Sequence, residues 1–222
     1  MPAKNSLKEY LKNGYYHLYN RGVEKRNIFL DRQDYNVYLS YLKNYLLPKK
    51  DGELFKTIQN QYSTPNEKDQ ARKLLRMNNF SGNIFLLAYC LMENHFHFLV
   101  KQMEENAIDM FMNSIGTRYT MYFNKKYKRV GSLYQGVYKA VLVNSDEQLV
   151  QLSKYIHHQA IKTRQPSSYP EYILQRETDW IHTEEILPFF SKQNPKLSYQ
   201  SFVEQNEGNE SVYKIILEDE IA

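Results

Sequence analysis

The chain has 222 residues, a formal net charge of +4 at pH 7 and a single cysteine, Cys90. This length fits one domain or one domain with an appendage, and one cysteine excludes an intramolecular disulfide and a zinc site built from thiolates. No apolar run approaches the length of a membrane span, and the first residues lack the apolar segment of a secretory signal. We therefore expect a cytoplasmic protein with no membrane partner.

Hydrophobic periodicity and turn residues divide the chain into strand and helix signals. Strands are indicated where apolar, aromatic and β-branched residues alternate or form short buried runs, and helices where apolar residues recur every three or four positions. The predicted elements, in chain order, are a strand at 14–20, a helix at 34–47, a short helix at 66–77, strands at 83–91 and 95–100, a helix at 106–125, a strand at 138–143 and a helix at 145–162.

The order of these elements indicates an α+β fold, in which helices pack on an antiparallel sheet. The two strands on either side of the short turn at 92–94 are expected to pair as a hairpin. Residues 49–81 are rich in polar and loop-forming types, and we interpret them as an insertion outside the core. Residues 165–222 contain two short amphipathic pieces, at 184–190 and 197–205, and are interpreted as a docked, helical C-terminal appendage.

Two histidines lie close together on the strand at 95–100. Because alternate side chains of a strand share a face, His95 and His97 lie about 6–7 Å apart, close enough to bind one metal ion. Phe96 and Phe98 point the other way, into a core. A His-x-His pair alone is a weak signal, and two histidines on the half-exposed face of an ordinary strand are an equally good interpretation of this stretch.

The helix at 145–162 presents an unusual surface. It begins with Ser145 and Gln148 at the N-cap and third helical positions, which is a capping-box pattern. Tyr155 lies at the edge of the apolar stripe, and Gln159 follows one turn later on the same face. For a helix considered alone, an interfacial tyrosine with solvated polar neighbours would be the simpler interpretation.

Together these stretches resemble the single-tyrosine transposases of the HUH (His-hydrophobic-His) type, the insertion sequence 200-like family with its REP-associated relatives. His95 and His97 are followed roughly sixty residues later by Tyr155 and Gln159. The resemblance covers nearly the whole chain except residues 49–81. Further segments similar to the family's patterns lie at 16–22, 131–136 and 138–139, and in the tail at 186–190 and 199–203.

The resemblance implies the ferredoxin-like fold of the HUH endonucleases, with residues 1–164 as the catalytic domain. It also implies an enzyme that cleaves and rejoins single-stranded DNA, recognises hairpin ends and uses Tyr155 to form a 5′-phosphotyrosine intermediate. A phenol with a pKa near ~10 is a weak nucleophile at pH 7, so the phosphate has to be polarised. His95, His97 and the side-chain oxygen of Gln159 are the predicted ligands of Mg²⁺ or Mn²⁺.

The basic and aromatic run at 125–139 is the predicted DNA contact, with cations on phosphates and a tyrosine available for stacking. A solvated charge run at a helix end is the alternative. For His17 and Arg21, on the first strand, a DNA contact and a core or surface role are both left open. The predicted DNA-binding residues are Arg21, Lys125, Lys126, Lys128, Arg129, Tyr134 and Lys139.

Other functions remain open at this point. A superfamily nuclease that serves replication or plasmid transfer would more often carry additional domains or paired tyrosines. A domesticated REP-associated protein would bind hairpin DNA with little or no transposition, although many such relatives carry Asn-Pro where this chain has Gln159 and Ala160. Tyr138 is the alternative nucleophile, Glu93 is a candidate to assist the metal pair, and a homodimer is one option for the assembly.

Overall fold

The computed structural model describes residues 10–205. Four strands form one antiparallel sheet in the order β2-β3-β1-β4, with helices packed on it, which confirms the predicted α+β fold. The elements are β1 (Tyr15–Arg21), α1 (Arg32–Leu46), α2 (Asp51–Gln59), α3 (Pro65–Arg76), β2 (Ile84–Leu91), β3 (His95–Gln102), α4 (Ala107–Lys126), β4 (Lys139–Val143), α5 (Asp146–Thr163), α6 (Tyr169–Tyr172) and α7 (Tyr199–Glu204).

One face of the sheet packs on α1 and α4. Leu18 of β1 and Phe98 of β3 point to this face and are fully buried. The helices contribute aromatic side chains, among them Tyr38 of α1 and Tyr119 of α4, whose rings lie edge to face with centroids 4.8 Å apart. Such edge-to-face pairs add to the burial of apolar area. This larger core holds the central strands in register and leaves their alternate side chains for the opposite face.

The opposite face of the sheet packs on α5 and on the chain that follows it. Leu99 of β3 is buried in a second cluster with Leu152 and Ile156 of α5. The tail joins this cluster through Tyr199 of α7, whose hydroxyl lies 2.6 Å from Nδ1 of His157. The two faces therefore have different partners, and α5 lies over this face of β2 and β3.

The polar interval contains two helices where one was expected. The predicted helix at 66–77 corresponds to α3, which begins with a capping box between Thr64 and Glu67. The additional helix α2 was missed because it has a glycine at its second position, lacks a side-chain N-cap bond and buries no residue. Phe80, at the end of the interval, is buried in the larger core, so the interval is not wholly outside it.

The tail also differs in detail from its sequence interpretation. The first amphipathic piece forms two short 3-10 turns, Thr183–Glu185 and Leu187–Phe189, and the second contains the six-residue helix α7. The remainder of the predicted appendage, residues 206–222, lies outside the described residues. Within residues 10–205, no helix has both the length and the apolar character that crossing a membrane requires.

Candidate active site

Two histidines of β3 face α5. His95 and His97 point to the same side of the sheet, with ring centroids 4.9 Å apart and nearly perpendicular planes. Phe96 and Phe98, between and beyond them, are buried in the larger core on the other side. The alternation of a strand thus places two imidazoles next to each other, as the sequence pattern predicted.

Both rings are neutral at pH 7. His97 is fully buried, and burial holds its pKa well below the usual range, with further lowering by His17 and His95. His95 is half-buried, and burial, with a smaller contribution from the charge of Arg21, lowers its pKa to about 4. A neutral imidazole has one nitrogen lone pair, and this is the form that binds a metal ion.

The turn before β3 orients His95. The amide nitrogen of Asn94 donates to the carbonyl oxygen of Lys25, with 3.3 Å between the two atoms. This leaves the Asn94 side-chain oxygen as an acceptor, and Nδ1 of His95 lies 2.6 Å from it. Nδ1 of His95 therefore carries the ring proton, and the lone pair is on Nε2. Hydrogen bonds of this kind commonly fix the tautomer of histidines that bind metals.

A third histidine lies beside the pair. His17 of β1 is 1% exposed, and its Nε2 lies 2.9 Å from Nδ1 of His97. The two rings are stacked, with centroids 5.2 Å apart, and burial lowers the pKa of His17 to about 3. Of the two roles left open for His17, the structure favours the one in the core, because the side chain is enclosed. Its place in the site depends on strand pairing, which the sequence pattern alone did not reveal.

The helix α5 brings Tyr155 to the histidines. Ser145 caps this helix by accepting from the backbone nitrogen of Gln148. The ring of Tyr155 lies edge-on to that of His97, with centroids 5.5 Å apart, and 6.5 Å from the ring of His17. Tyr155 is 5% exposed. Gln159, one turn further along α5, is half-buried. A tyrosine and two histidines distant in sequence are therefore neighbours in space.

The alternative nucleophile lies in a different environment. Tyr138 is buried in the larger core cluster, and its hydroxyl is hydrogen-bonded to the carboxylate of Asp109 and to the hydroxyl of Tyr10. Burial, followed by the hydrogen bond to Asp109, raises the pKa of Tyr138 far above the ordinary value. A phenol held this way is poorly suited to attack a phosphate. The geometry favours Tyr155 over Tyr138.

The predicted metal ligands form a donor set that suits a divalent cation. Among residues 10–205, no three or more His, Cys, Asp and Glu side chains are grouped to hold a metal ion. The predicted set instead consists of the imidazoles of His95 and His97 and the amide oxygen of Gln159. The lone pair on Nε2 of His95 makes that nitrogen suitable as a ligand atom. If a divalent cation bound there, two neutral imidazoles and an amide oxygen would be suitable ligands and would leave room for phosphate oxygens. Glu93 is exposed, and its carboxylate lies 3.5 Å from the amide of Asn27.

Two of the predicted DNA-binding residues lie on the sheet face that carries the histidines. Arg21 of β1 is directly opposite His95 across the β1–β3 pair, and Lys139 of β4 is opposite Tyr19, which in turn faces His97. Directly opposite residues of antiparallel strands point to the same face. Arg21 and Lys139 therefore add positive charge to the face that carries the histidine pair.

The cluster at the end of α4 separates into exposed and structural residues. Lys125 and Lys128 are exposed. Lys126 instead lies 2.7 Å from carboxylate oxygens of both Asp31 and Asp34, and so forms ion pairs within the fold. Such a paired lysine has little capacity left for a phosphate.

Two further predicted contacts are also engaged within the protein. Arg129 donates to the side-chain oxygen of Asn124 at 3.1 Å and lies over the ring of Phe123. Tyr134 packs edge-on against Phe96, with centroids 6.0 Å apart, and its hydroxyl is buried. Tyr134 therefore lies at the edge of the larger core.

Comparison with known proteins agrees with these observations. Residues 54–159 match a family model described as "Transposase IS200 like". This range includes His95, His97, Tyr155 and Gln159; it also spans much of the polar interval and begins after β1. No curated protein matches the chain.

Solved structures provide a second comparison. The structure of a REP-associated tyrosine transposase bound to a REP hairpin matches with a TM-score of 0.50 and 10% identity, covering 81% of this chain and 97% of that chain. A Deinococcus radiodurans R1 structure described as a transposase has a TM-score of 0.28 and 15% identity, with 70% and 98% covered. The fold is that of the REP-associated transposase. In particular, the chain resembles the single-tyrosine, IS200-like transposases, which confirms the resemblance drawn from its motifs.

Proposed function

We propose that this protein is a DNA transposase of the IS200-like family that cleaves and rejoins single-stranded DNA with Tyr155 as its nucleophile. The proposal depends chiefly on one observation: the ring of Tyr155 lies edge-on to the ring of His97, with centroids 5.5 Å apart. The two residues are on a helix and a strand that are far apart in sequence. We also propose residues 1–164 as the catalytic domain and residues 165–222 as its appendage.

In the proposed reaction, the phenolic oxygen of Tyr155 attacks the phosphorus of a DNA phosphodiester. A bond forms between this oxygen and phosphorus, and the bond from phosphorus to the 3′-oxygen breaks. The phenol gives up its proton to solvent, and the departing 3′-oxygen takes up a proton from solvent to become a 3′-hydroxyl. The protein is left joined to the 5′-phosphate. A 3′-hydroxyl attacks the phosphotyrosine in the reverse sense, so strand transfer needs no external energy source.

His95, His97 and Gln159 would hold the divalent cation, Mg²⁺ or Mn²⁺. When bound, such a cation supplies positive charge to phosphate oxygens, which favours attack by a weak nucleophile. Of the three side chains, the half-buried His95 and Gln159 are more open to solvent than the enclosed His97. The alternative, that His95 and His97 are ordinary strand residues without a function, does not explain why Tyr155 lies next to them.

Arg21 and Lys139 are the residues that we propose to position the DNA backbone at the site. Both share the face of the histidine pair and are partly exposed. Lys125 and Lys128, exposed at the end of α4, would contact phosphates further along the strand. Because a solved structure with this fold, the REP-associated tyrosine transposase, is bound to a REP hairpin, we propose hairpin DNA as the substrate.

The test uses a labelled single-stranded oligonucleotide that folds into a hairpin with unpaired flanks. The full chain is incubated with it and Mn²⁺, and a covalent adduct is sought on a denaturing gel. We expect Tyr155→Phe to abolish the adduct and leave binding nearly unchanged, because only the nucleophilic oxygen is removed. Tyr138→Phe is the matched control and should still form the adduct.

Two outcomes would change the assignment. Persistence of the adduct in Tyr155→Phe would exclude this residue as the nucleophile. Hairpin binding by the wild-type protein without any adduct, in Mg²⁺ and in Mn²⁺, would favour the second candidate, a domesticated REP-associated hairpin-binding protein. The low exposure of Tyr155, 5%, is the observation that keeps this second candidate in view.

A further inference from the structure

The contact between His17 and His97 has the geometry of a hydrogen bond between two rings. Nε2 of His17 lies 2.9 Å from Nδ1 of His97, and both side chains are almost completely enclosed. Tyr19 stacks on His17 with centroids 4.9 Å apart, which restrains the plane of the His17 ring. Within residues 10–205, the other ring nitrogen of His17, Nδ1, has no hydrogen-bond partner. The polar interaction of the His17 ring is therefore made through Nε2, toward His97.

Only one proton can lie between these two nitrogens. A neutral imidazole carries a single N–H, so one ring donates and the other accepts. If Nδ1 of His97 donates, Nε2 of His97 has the lone pair that a metal ligand needs. If Nε2 of His17 donates, the proton of His97 lies on Nε2, and that nitrogen cannot bind a cation. The direction of this one hydrogen bond therefore decides whether His97 can act as a ligand.

We propose that His17 is a positioning residue that accepts the Nδ1 proton of His97 and so holds the His97 lone pair on Nε2 toward the divalent cation. This inference rests on the proposed function, because it concerns the same metal site. His17 itself contacts neither metal nor DNA. Asn94 has the equivalent role for His95, through its contact with Nδ1 at 2.6 Å. Each histidine of the pair thus has its own acceptor behind it.

A positioning role makes a demand on His17 that an ordinary core role does not. A structural role would require only that the ring fill its space, whereas the positioning role requires an acceptor at the place of Nε2. His17→Phe keeps a ring of similar size and removes the acceptor, while His17→Gln offers an amide oxygen. His157 is the matched control, because it is also fully buried, is hydrogen-bonded through both nitrogens and has a pKa lowered by burial to about 3.

The first measurement reads the tautomer directly. In the metal-free full chain at neutral pH, long-range correlation spectra of ¹⁵N-labelled histidine distinguish a protonated Nδ1 from a protonated Nε2. We expect the proton of His97 on Nδ1 and that of His17 on Nδ1 as well, leaving Nε2 of His17 as the acceptor. Protonation of His97 on Nε2 would overturn the proposal, whatever the variants show.

The second measurement is Mn²⁺ affinity by titration calorimetry. His17→Phe should bind Mn²⁺ about 10- to 100-fold more weakly, the usual effect of losing the partner of a ligating histidine. His17→Gln should recover part of this loss, and His157→Phe should keep wild-type affinity even if it is less stable. Wild-type affinity in His17→Phe would overturn the role of His17 and leave the proposed function standing. Absence of Mn²⁺ binding by the wild-type protein would overturn both.

Discussion

The ion pair of Lys126 permits a sharp distinction between residues that bind DNA and residues that hold the fold. Sequence patterns placed Lys126 in a basic cluster, yet its Nζ lies 2.7 Å from Oδ1 of Asp34 and 2.7 Å from Oδ2 of Asp31. Asp34 has a fully buried side chain, and its pKa is lowered although burial alone would raise it. We expect Lys126→Met, which keeps the aliphatic stem and removes the charge, to destabilise the protein.

The structure sets the size of this effect. Loss of one partner of a buried pair costs about 3–5 kcal/mol, because the other charge is left uncompensated. Asp34 also accepts from the backbone nitrogen of Leu30 and from the hydroxyls of Tyr122 and Tyr127, and Lys126 is partly exposed. These hydrogen bonds and solvent reduce the expected cost to about 2 kcal/mol. For a chain of this size, that corresponds to a Tm lower by about 4–8 °C.

Thermal unfolding followed by circular dichroism measures the effect, with Lys125→Met as the control. Lys125 is exposed, and its replacement should change stability by no more than about 0.5 kcal/mol. DNA binding should show the reverse pattern. Replacing Lys125 and Lys128 together should reduce the slope of log binding constant against log salt concentration by about 0.7 for each phosphate that is no longer neutralised. Wild-type Tm in Lys126→Met, together with weakened DNA binding, would refute this division of roles.

Two further predictions concern stability. Gly22→Ala should cost at least about 2 kcal/mol in denaturant unfolding, because the added Cβ would lie 2.2 Å from the carbonyl oxygen of Arg26; Gly52→Ala, with open space around it, should be neutral or stabilising. An unchanged midpoint in Gly22→Ala would contradict the geometry of this turn. The pKa of His157 is lowered to about 3 in the folded protein and is near ~6.5 in the unfolded chain. Its contribution to the free energy of unfolding is therefore complete above about pH 6.5. That contribution is lost as the pH falls toward 3, because the unfolded chain then binds the proton more readily. Between about pH 5.5 and 4, the free energy of unfolding of His157→Gln should therefore change less steeply with pH, by about 1.4 kcal/mol per pH unit. An unaltered slope would contradict the conclusion that the buried His157 ring is neutral.

Much of the fold follows from local patterns in the sequence. The β2–β3 hairpin was predictable because an apolar run, a three-residue turn and an alternating strand succeed one another directly. The start of α5 was predictable because Ser145 caps the backbone within one turn. The alternation around Phe96 likewise sufficed to place His95 and His97 on one face, since it depends only on the period of a strand.

The parts that were missed depend on interactions between distant segments. His17 contacts His97 across paired strands, although the two are eighty positions apart in sequence, and no local signal marks that hydrogen bond. Lys126 looked like its exposed neighbours because its carboxylate partners lie more than ninety residues earlier. Tyr134 was assigned to stacking because tyrosine suits a surface and a core edge equally well. In each case the missing information was the tertiary partner.

The central claim, that Tyr155 is the nucleophile, is tested most directly by mapping the residue that is joined to DNA. The adduct is formed on the hairpin oligonucleotide, trimmed with nuclease, digested with trypsin and sequenced by mass spectrometry. Cleavage after Lys154 and Lys162 yields a peptide with a single tyrosine, so a nucleotide on it identifies Tyr155 without ambiguity. We expect this peptide to carry the nucleotide. The nucleotide should come from the DNA segment on the 3′ side of the cleavage site, because the protein is joined to the 5′-phosphate of that segment. A nucleotide on peptide 130–139, which contains the alternative nucleophile Tyr138, would contradict the claim.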